Sequence, residues 1–129
     1  MAHATGTFEV TSWNENSYEE LDGGGKLTQA SVAQRFSGDV DGDGAVEWLM
    51  AYAPDGTARF VGIQRVTGSI GGREGTFVME TSGDFDGEVA TGEWTIVSAA
   101  GDLEGLRGTG QFHAPKGPTA SVELDYELG

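Results

Sequence analysis

Apolar and polar residues alternate one for one along most of the chain, and short clusters rich in Gly and Asp interrupt the alternation. A period of two predicts strands and hairpins, and stripes of helical period are missing. Eight strands are predicted: Thr5–Trp13, Leu27–Ser37, Gly44–Tyr52, Thr57–Thr67, Gly75–Ser82, Val89–Ser98, Leu106–His113 and Thr119–Leu128. The last is the cleanest, with Ala120, Val122, Leu124, Tyr126 and Leu128 set against Ser121, Glu123, Asp125 and Glu127. Gly44–Tyr52 and Thr57–Thr67 are apolar on both faces or nearly so. Asp41-Gly42-Asp43-Gly44 and Pro54-Asp55-Gly56 read as hairpin turns, and Asn14–Gly25 as a long acidic loop suited to a mobile lid.

Eight short antiparallel strands make a meander, closed as a barrel or folded as a sandwich. Strands apolar on both faces favour closure, with one face lining an interior and the other packing on a neighbouring layer or a partner subunit. A homo-oligomer is therefore expected. In-strand glycines such as Gly62, Gly75, Gly92, Gly108 and Gly110 suit barrel corners.

Composition narrows the function classes. The 129 residues fit one domain, 1–129. A net charge of −14 excludes nucleic-acid and anionic-membrane partners, which need a basic face. Aromatics spread along the whole chain exclude disorder despite 22 glycines. The absence of cysteine removes thiol chemistry. Apolar runs are too short for a transmembrane helix, and the start Met1-Ala2-His3-Ala4 carries no leader pattern, so a cytoplasmic protein is expected. No cofactor is expected: Gly23-Gly24-Gly25 and Gly71-Gly72 are not followed by Gly-Lys-Ser/Thr, so no nucleotide site is read. No metal site is expected either. Asp39-Val40-Asp41-Gly42-Asp43-Gly44 begins like a calcium loop, but Met50 stands where the bidentate acid belongs, and His3 and His113 are the only histidines.

Several segments carry a resemblance. They are Gly6-Thr7-Phe8-Glu9-Val10 with Trp13, Phe36-Ser37-Gly38-Asp39, Glu47-Trp48-Leu49-Met50-Ala51-Tyr52, Gln64-Arg65-Val66, Gly71-Gly72-Arg73-Glu74-Gly75-Thr76-Phe77-Val78, Gly105-Leu106-Arg107-Gly108 and Leu124-Asp125-Tyr126. Over nearly its whole length the chain resembles the family of small bacterial proteins called domain of unknown function 3224. The resemblance implies an eight-stranded antiparallel β-barrel of the allene oxide cyclase type, often assembled into oligomers. It implies no established activity, though an acid-protease-like one is suggested for a relative and barrels of this shape elsewhere act as cyclases. Gln64 stands where many relatives are expected to carry Glu.

The candidate chemistry then rests on which way a few side chains point. Glu47, Glu80 and Arg65 are the candidate catalytic residues. A carboxylate facing an apolar lumen would have its pKa raised, as a general acid or base requires, and two inward carboxylates could share a proton. Glu47 could instead face solvent or pair with Arg59 or Arg65 on the next strand. Gln64 and Arg65 exchange faces with a one-residue slip, so either could point inward. Trp48, Met50, Tyr52, Gln64, Phe77, Trp94 and Tyr126 are the candidate ligand-binding residues, lining an apolar pocket or filling the core. The expected function is binding of a small apolar molecule in the lumen, by an isomerase- or cyclase-like enzyme. The alternatives are a non-catalytic ligand-binding barrel and an acid-protease-like hydrolase using paired carboxylates.

Overall fold

The alternation folds as read, into eight antiparallel strands that close on themselves. The computed structural model describes residues 2–115, 117 and 119–128; Met1 of the opening segment lies outside them. The strands are β1 (Ala2–Glu20), β2 (Lys26–Gly38), β3 (Val40–Tyr52), β4 (Ala58–Ile70), β5 (Arg73–Phe85), β6 (Ala90–Gly101), β7 (Leu106–Ala114) and β8 (Thr119–Leu128). Each bonds to the next in sequence, and β8 returns to β1, giving a closed barrel. Among the described residues no helix is long and apolar enough to cross a membrane.

Between bulges, one parity of each strand faces inward. Ala120, Val122 and Leu124 of β8 are buried, whereas Ser121, Glu123 and Asp125 are exposed. The interior is aromatic: Phe8, Phe36, Trp48, Phe60, Trp94 and Phe112 form one contiguous set of ring contacts at 5.2 to 6.3 Å between centroids. Burying each such side chain stabilises the fold by about 1.5–3 kcal/mol. The rings fit because inward glycines face them. Gly83 pairs with Gly92 across β5 and β6. A Cβ on Gly92 would collide with the Phe112 ring, and one on Gly83 would lie 2.8 Å from Phe60 Cζ.

The two ends of the barrel differ. At one end the β6–β7 loop folds Leu103 inward, 1% exposed, where it joins Val40, Ile70 and Leu106 in the core. The Gly71-Gly72 turn between β4 and β5, with φ of 58° and 84°, lies at the same end. Two consecutive left-handed residues are what a two-residue hairpin turn matched to strand twist requires.

At the other end β1 outruns its neighbour. Among the described residues it pairs with β8 only from Ala2 to Glu9, and from there to Glu20 it pairs with β2 alone. This corrects the expected loop at Asn14–Gly25: residues 14–20 are strand, and the turn is confined to 21–25. The segment lacks the alternation that marks a half-buried strand because one edge and most of its side chains meet solvent. The first hairpin turn expected in β3 also moves. Asp41 and Asp43 lie within the strand, their side chains near Arg35, and the chain reverses at Gly38–Asp39, where the Asp39 carboxylate accepts the Thr5 N–H.

Candidate functional site

A β-bulge aims the most organised polar cluster of the molecule. The register of β1 against β2 shifts between Val10 and Ser12. Before it, even-numbered Phe8 faces inward; after it, Trp13 and Glu15 pair with inward Val32 and Ala30. One extra residue on a bulged strand reverses which side chains face the barrel. Glu15 is thereby turned over the open end, beside the inward ends of β2 and β3.

Three donors converge on its carboxylate. Thr28 Oγ1 donates to Oε2 at 2.7 Å, Tyr52 OH donates to Oε2 at 2.9 Å, and Trp13 Nε1 donates to Oε1 at 3.0 Å. Partial burial works against the Glu15 charge. The hydrogen bonds from Thr28, Tyr52 and Trp13 and the nearby Lys26 ammonium outweigh it, holding the carboxyl below its ordinary range. Tyr52 moves the other way. Burial, its hydrogen bond to Glu15 and the Glu15 charge push its hydroxyl up to about 12. The Lys26 ammonium sits 5.2 Å from the centre of the Tyr52 ring, within cation–π range. Around these groups opens a cleft of about 600 Å³, walled also by Ser17 and Pro54. Trp13, 46% exposed, lies outside that wall and packs on Trp48 at 5.7 Å. The open end is thus coupled by direct packing to the aromatic interior.

The residues expected from sequence fall into two groups. Trp48, Met50, Gln64, Phe77 and Trp94 are buried on the inner face, where rings and methionines occupy the interior. Tyr52 and Tyr126 are half-buried at opposite ends, Tyr52 at the Glu15 cleft and Tyr126 near the Gly71 turn. Glu47, Arg65 and Glu80 are exposed on the outer face. Their direction follows from volume: Trp48 and Met50 take the interior side of β3, and Gln64 and Val66 that of β4, so the intervening residues turn outward. Glu47 and Glu80 do not form a dyad in the lumen. They flank Ile63 on strands either side of β4, about 10 Å apart by strand spacing. Ser31 Oγ donates to the Glu47 carboxylate at 2.6 Å and Gln29 Nε2 at 3.2 Å, drawing it toward β2.

The interior also holds polar atoms. Gln64 Nε2 donates to Gln34 Oε1, leaving Gln34 Nε2 and Gln64 Oε1 without partners among the described residues. Trp48 Nε1, Thr81 Oγ1 and Trp94 Nε1 are likewise buried and unpartnered. Trp48, Gly62, Thr81 and Trp94 follow one another along a single inward row across β3 to β6. Among the described residues no group of three or more His, Cys, Asp or Glu is arranged to hold a metal ion.

Glu15, Trp13, Thr28 and Lys26 are absent from the residues expected to form a site. Glu15 was legible only as one acid of a polar stretch, since nothing in the local sequence marks the bulge. Thr28, at an inward position of β2 in line with Ala30 and Val32, was the available signal.

Comparison with curated proteins gives no match. A solved structure from Shewanella oneidensis MR-1, described as a protein with unknown function from the DUF3224 family, is similar over the whole molecule. It is 28% identical, the alignment covers 100% of this chain and 98% of that one, and the TM-score is 0.84. The family model described as protein of unknown function (DUF3224) matches residues 4–126, so the chain belongs to the DUF3224 family.

Proposed function

We propose that this protein binds a small molecule at the open end of its barrel, in the cleft walled by Glu15, Lys26, Thr28 and Tyr52. The observation that carries this reading is the gathering of three hydrogen-bond donors from β1, β2 and β3 on one carboxylate beside a cleft of about 600 Å³. A partly desolvated, fixed negative charge beside aromatic faces suits a ligand with an apolar or aromatic body and a cationic group. Lys26 occupies the cationic position over Tyr52, and a ligand ammonium would take its place.

Binding without proton transfer is favoured over an isomerase- or cyclase-like reaction. Glu15 is held ionised and Tyr52 protonated, and neither is poised near neutral pH as a general acid or base should be. It is favoured over the paired-carboxylate hydrolase because Glu47 and Glu80 stand apart on the outer face.

Trp13 and Trp48 supply the readout. Titration with 2-phenylethylamine should change their fluorescence saturably, whereas 2-phenylethanol and 3-phenylpropionate should have at least tenfold weaker effects. Glu15→Gln should abolish the preference for the amine. Equal responses to the three compounds, or an amine response unchanged in Glu15→Gln, would overturn the proposal.

A further inference from the structure

We propose that a second copy of this chain docks on the outer face of β3–β5, about a two-fold axis running along Leu49, Ile63 and Val78. Leu49, Val61, Ile63, Ala45 and Val78 bring apolar side chains to this outward face among Glu47, Arg65, Glu80 and Ser82. Leu49, Val61 and Ile63 are 51%, 53% and 52% exposed, and they line a groove of about 680 Å³ with Gly62 in its floor. Contiguous exposed apolar surface of this kind marks an interaction site.

The register fixes the pattern on this face. Leu49 lies opposite Val61 and Ser82, Glu47 opposite Ile63 and Glu80, and Ala45 opposite Arg65 and Val78. The diagonal Leu49–Ile63–Val78 is therefore wholly apolar, and the opposite diagonal, Ala45–Ile63–Ser82, is not. Two sheets packed face to face at near right angles lay one sheet's strand direction along the other's hydrogen-bonding direction. About a two-fold axis on the apolar diagonal, Leu49, Ile63 and Val78 each meet their own copies, as an isologous interface requires. A residue two positions along β4 then lies over the partner's residue one strand sideways, because about 6.8 Å of rise faces about 4.8 Å of strand spacing.

Charge favours this axis. It sets Arg65 over the partner's Glu80, and by symmetry Glu80 over the partner's Arg65. Arg59, Arg35 and Arg107 each have a carboxylate within the protomer, but Arg65 has none within ion-pair distance among the described residues. The same operation sets Glu47 near the partner's Val61. The pull of Ser31 and Gln29 on the Glu47 carboxylate leaves only its methylenes there. A general cationic partner would satisfy the acids but leave Arg65 unmatched, so the second copy is the occupant this surface fits.

Sedimentation velocity from low micromolar to near-millimolar protein tests the proposal. The wild type should show a concentration-dependent dimer, and Ile63→Asp should be monomeric throughout. Arg65→Glu and Glu80→Arg should each weaken the dimer at least tenfold, and the double variant should regain most of it. The chain has no cysteine, so Ile63→Cys should form an intermolecular disulfide on oxidation, while Thr7→Cys on another outward face should not. The cysteine variant keeps the test available if Ile63→Asp fails to fold. A monomeric wild type, a dimer indifferent to Ile63→Asp, equal cross-linking through both cysteines, or charge-swap rescue by Glu47→Arg in place of Glu80→Arg would overturn it.

Discussion

The Tyr52 hydroxyl donates to Glu15 Oε2 across 2.9 Å, tying the overhanging half of β1 to the end of β3 although β2 lies between them. This bond raises the phenol's pKa and lowers the carboxyl's, so each group reports on the other. Ultraviolet titration of the tyrosines should show one phenol ionising at about 12. Glu15→Gln should move it toward 10, its ordinary value. A phenol that does not move would mean that burial alone holds Tyr52 protonated.

The sign of the Glu15 effect on stability follows from its lowered pKa. Its contribution is fully present above the unfolded value of 4.5 and is lost as pH falls through the folded value. Thr28→Val removes one charge-assisted hydrogen bond and should cost about 1 kcal/mol at neutral pH, a figure reduced for the solvent exposure of the cluster. Denaturant unfolding at pH 7 and below pH 4 should show that cost shrinking at the acid end.

His3 gives the opposite dependence. Its Nδ1 lies 2.6 Å from Asp125, and that hydrogen bond is the main cause of a pKa above 6.5, with the Asp125 charge adding to it. The stabilisation is fully present below 6.5 and is lost as pH rises through the folded value. Proton NMR titration should place the His3 ring above 6.5, and Asp125→Asn should lower it.

The buried glutamine pair should show strong non-additivity. Gln64→Leu leaves the Gln34 amide without its partner in the interior and should cost about 1–3 kcal/mol. Gln34→Leu combined with Gln64→Leu removes both polar groups and should be less destabilising than either alone. Chemical unfolding of the four proteins of the cycle measures this. Additive costs would mean that each amide has a partner of its own.

Gly92→Ala tests the packing of the aromatic interior. The added methyl meets the Phe112 ring, and a shift of that ring would disturb Phe60, Trp48 and Trp94 together. A loss of about 1–3 kcal/mol is expected in thermal or chemical unfolding, with a changed near-ultraviolet spectrum.

The sequence shows the strands wherever one face is apolar and the other polar. In β8, Val122 and Leu124 could be assigned inward from alternation alone, because Ser121, Glu123 and Asp125 mark the wet side. In β3 and β4 both faces are apolar, so alternation cannot say whether Glu47 or Trp48, Gln64 or Arg65, faces in. Side-chain volume across the closed barrel decides it, and that is a property of all eight strands together. The Glu15 cluster was hidden for a different reason. Its members come from three strands, and the bulge that aims Glu15 leaves no mark in the residues around it.

From Val10 to Glu20, β1 offers backbone amides and carbonyls along one side with no strand to receive them among the described residues. Such a border invites a foreign strand to add on, the first step toward aggregation. The register breaks between Val10 and Ser12 and between Ser17 and Glu19 interrupt that border into short lengths, and Glu15, Glu19 and Glu20 stud it with like charge. The irregularity that turns Glu15 over the cleft therefore also keeps the barrel's open margin from templating its own polymer.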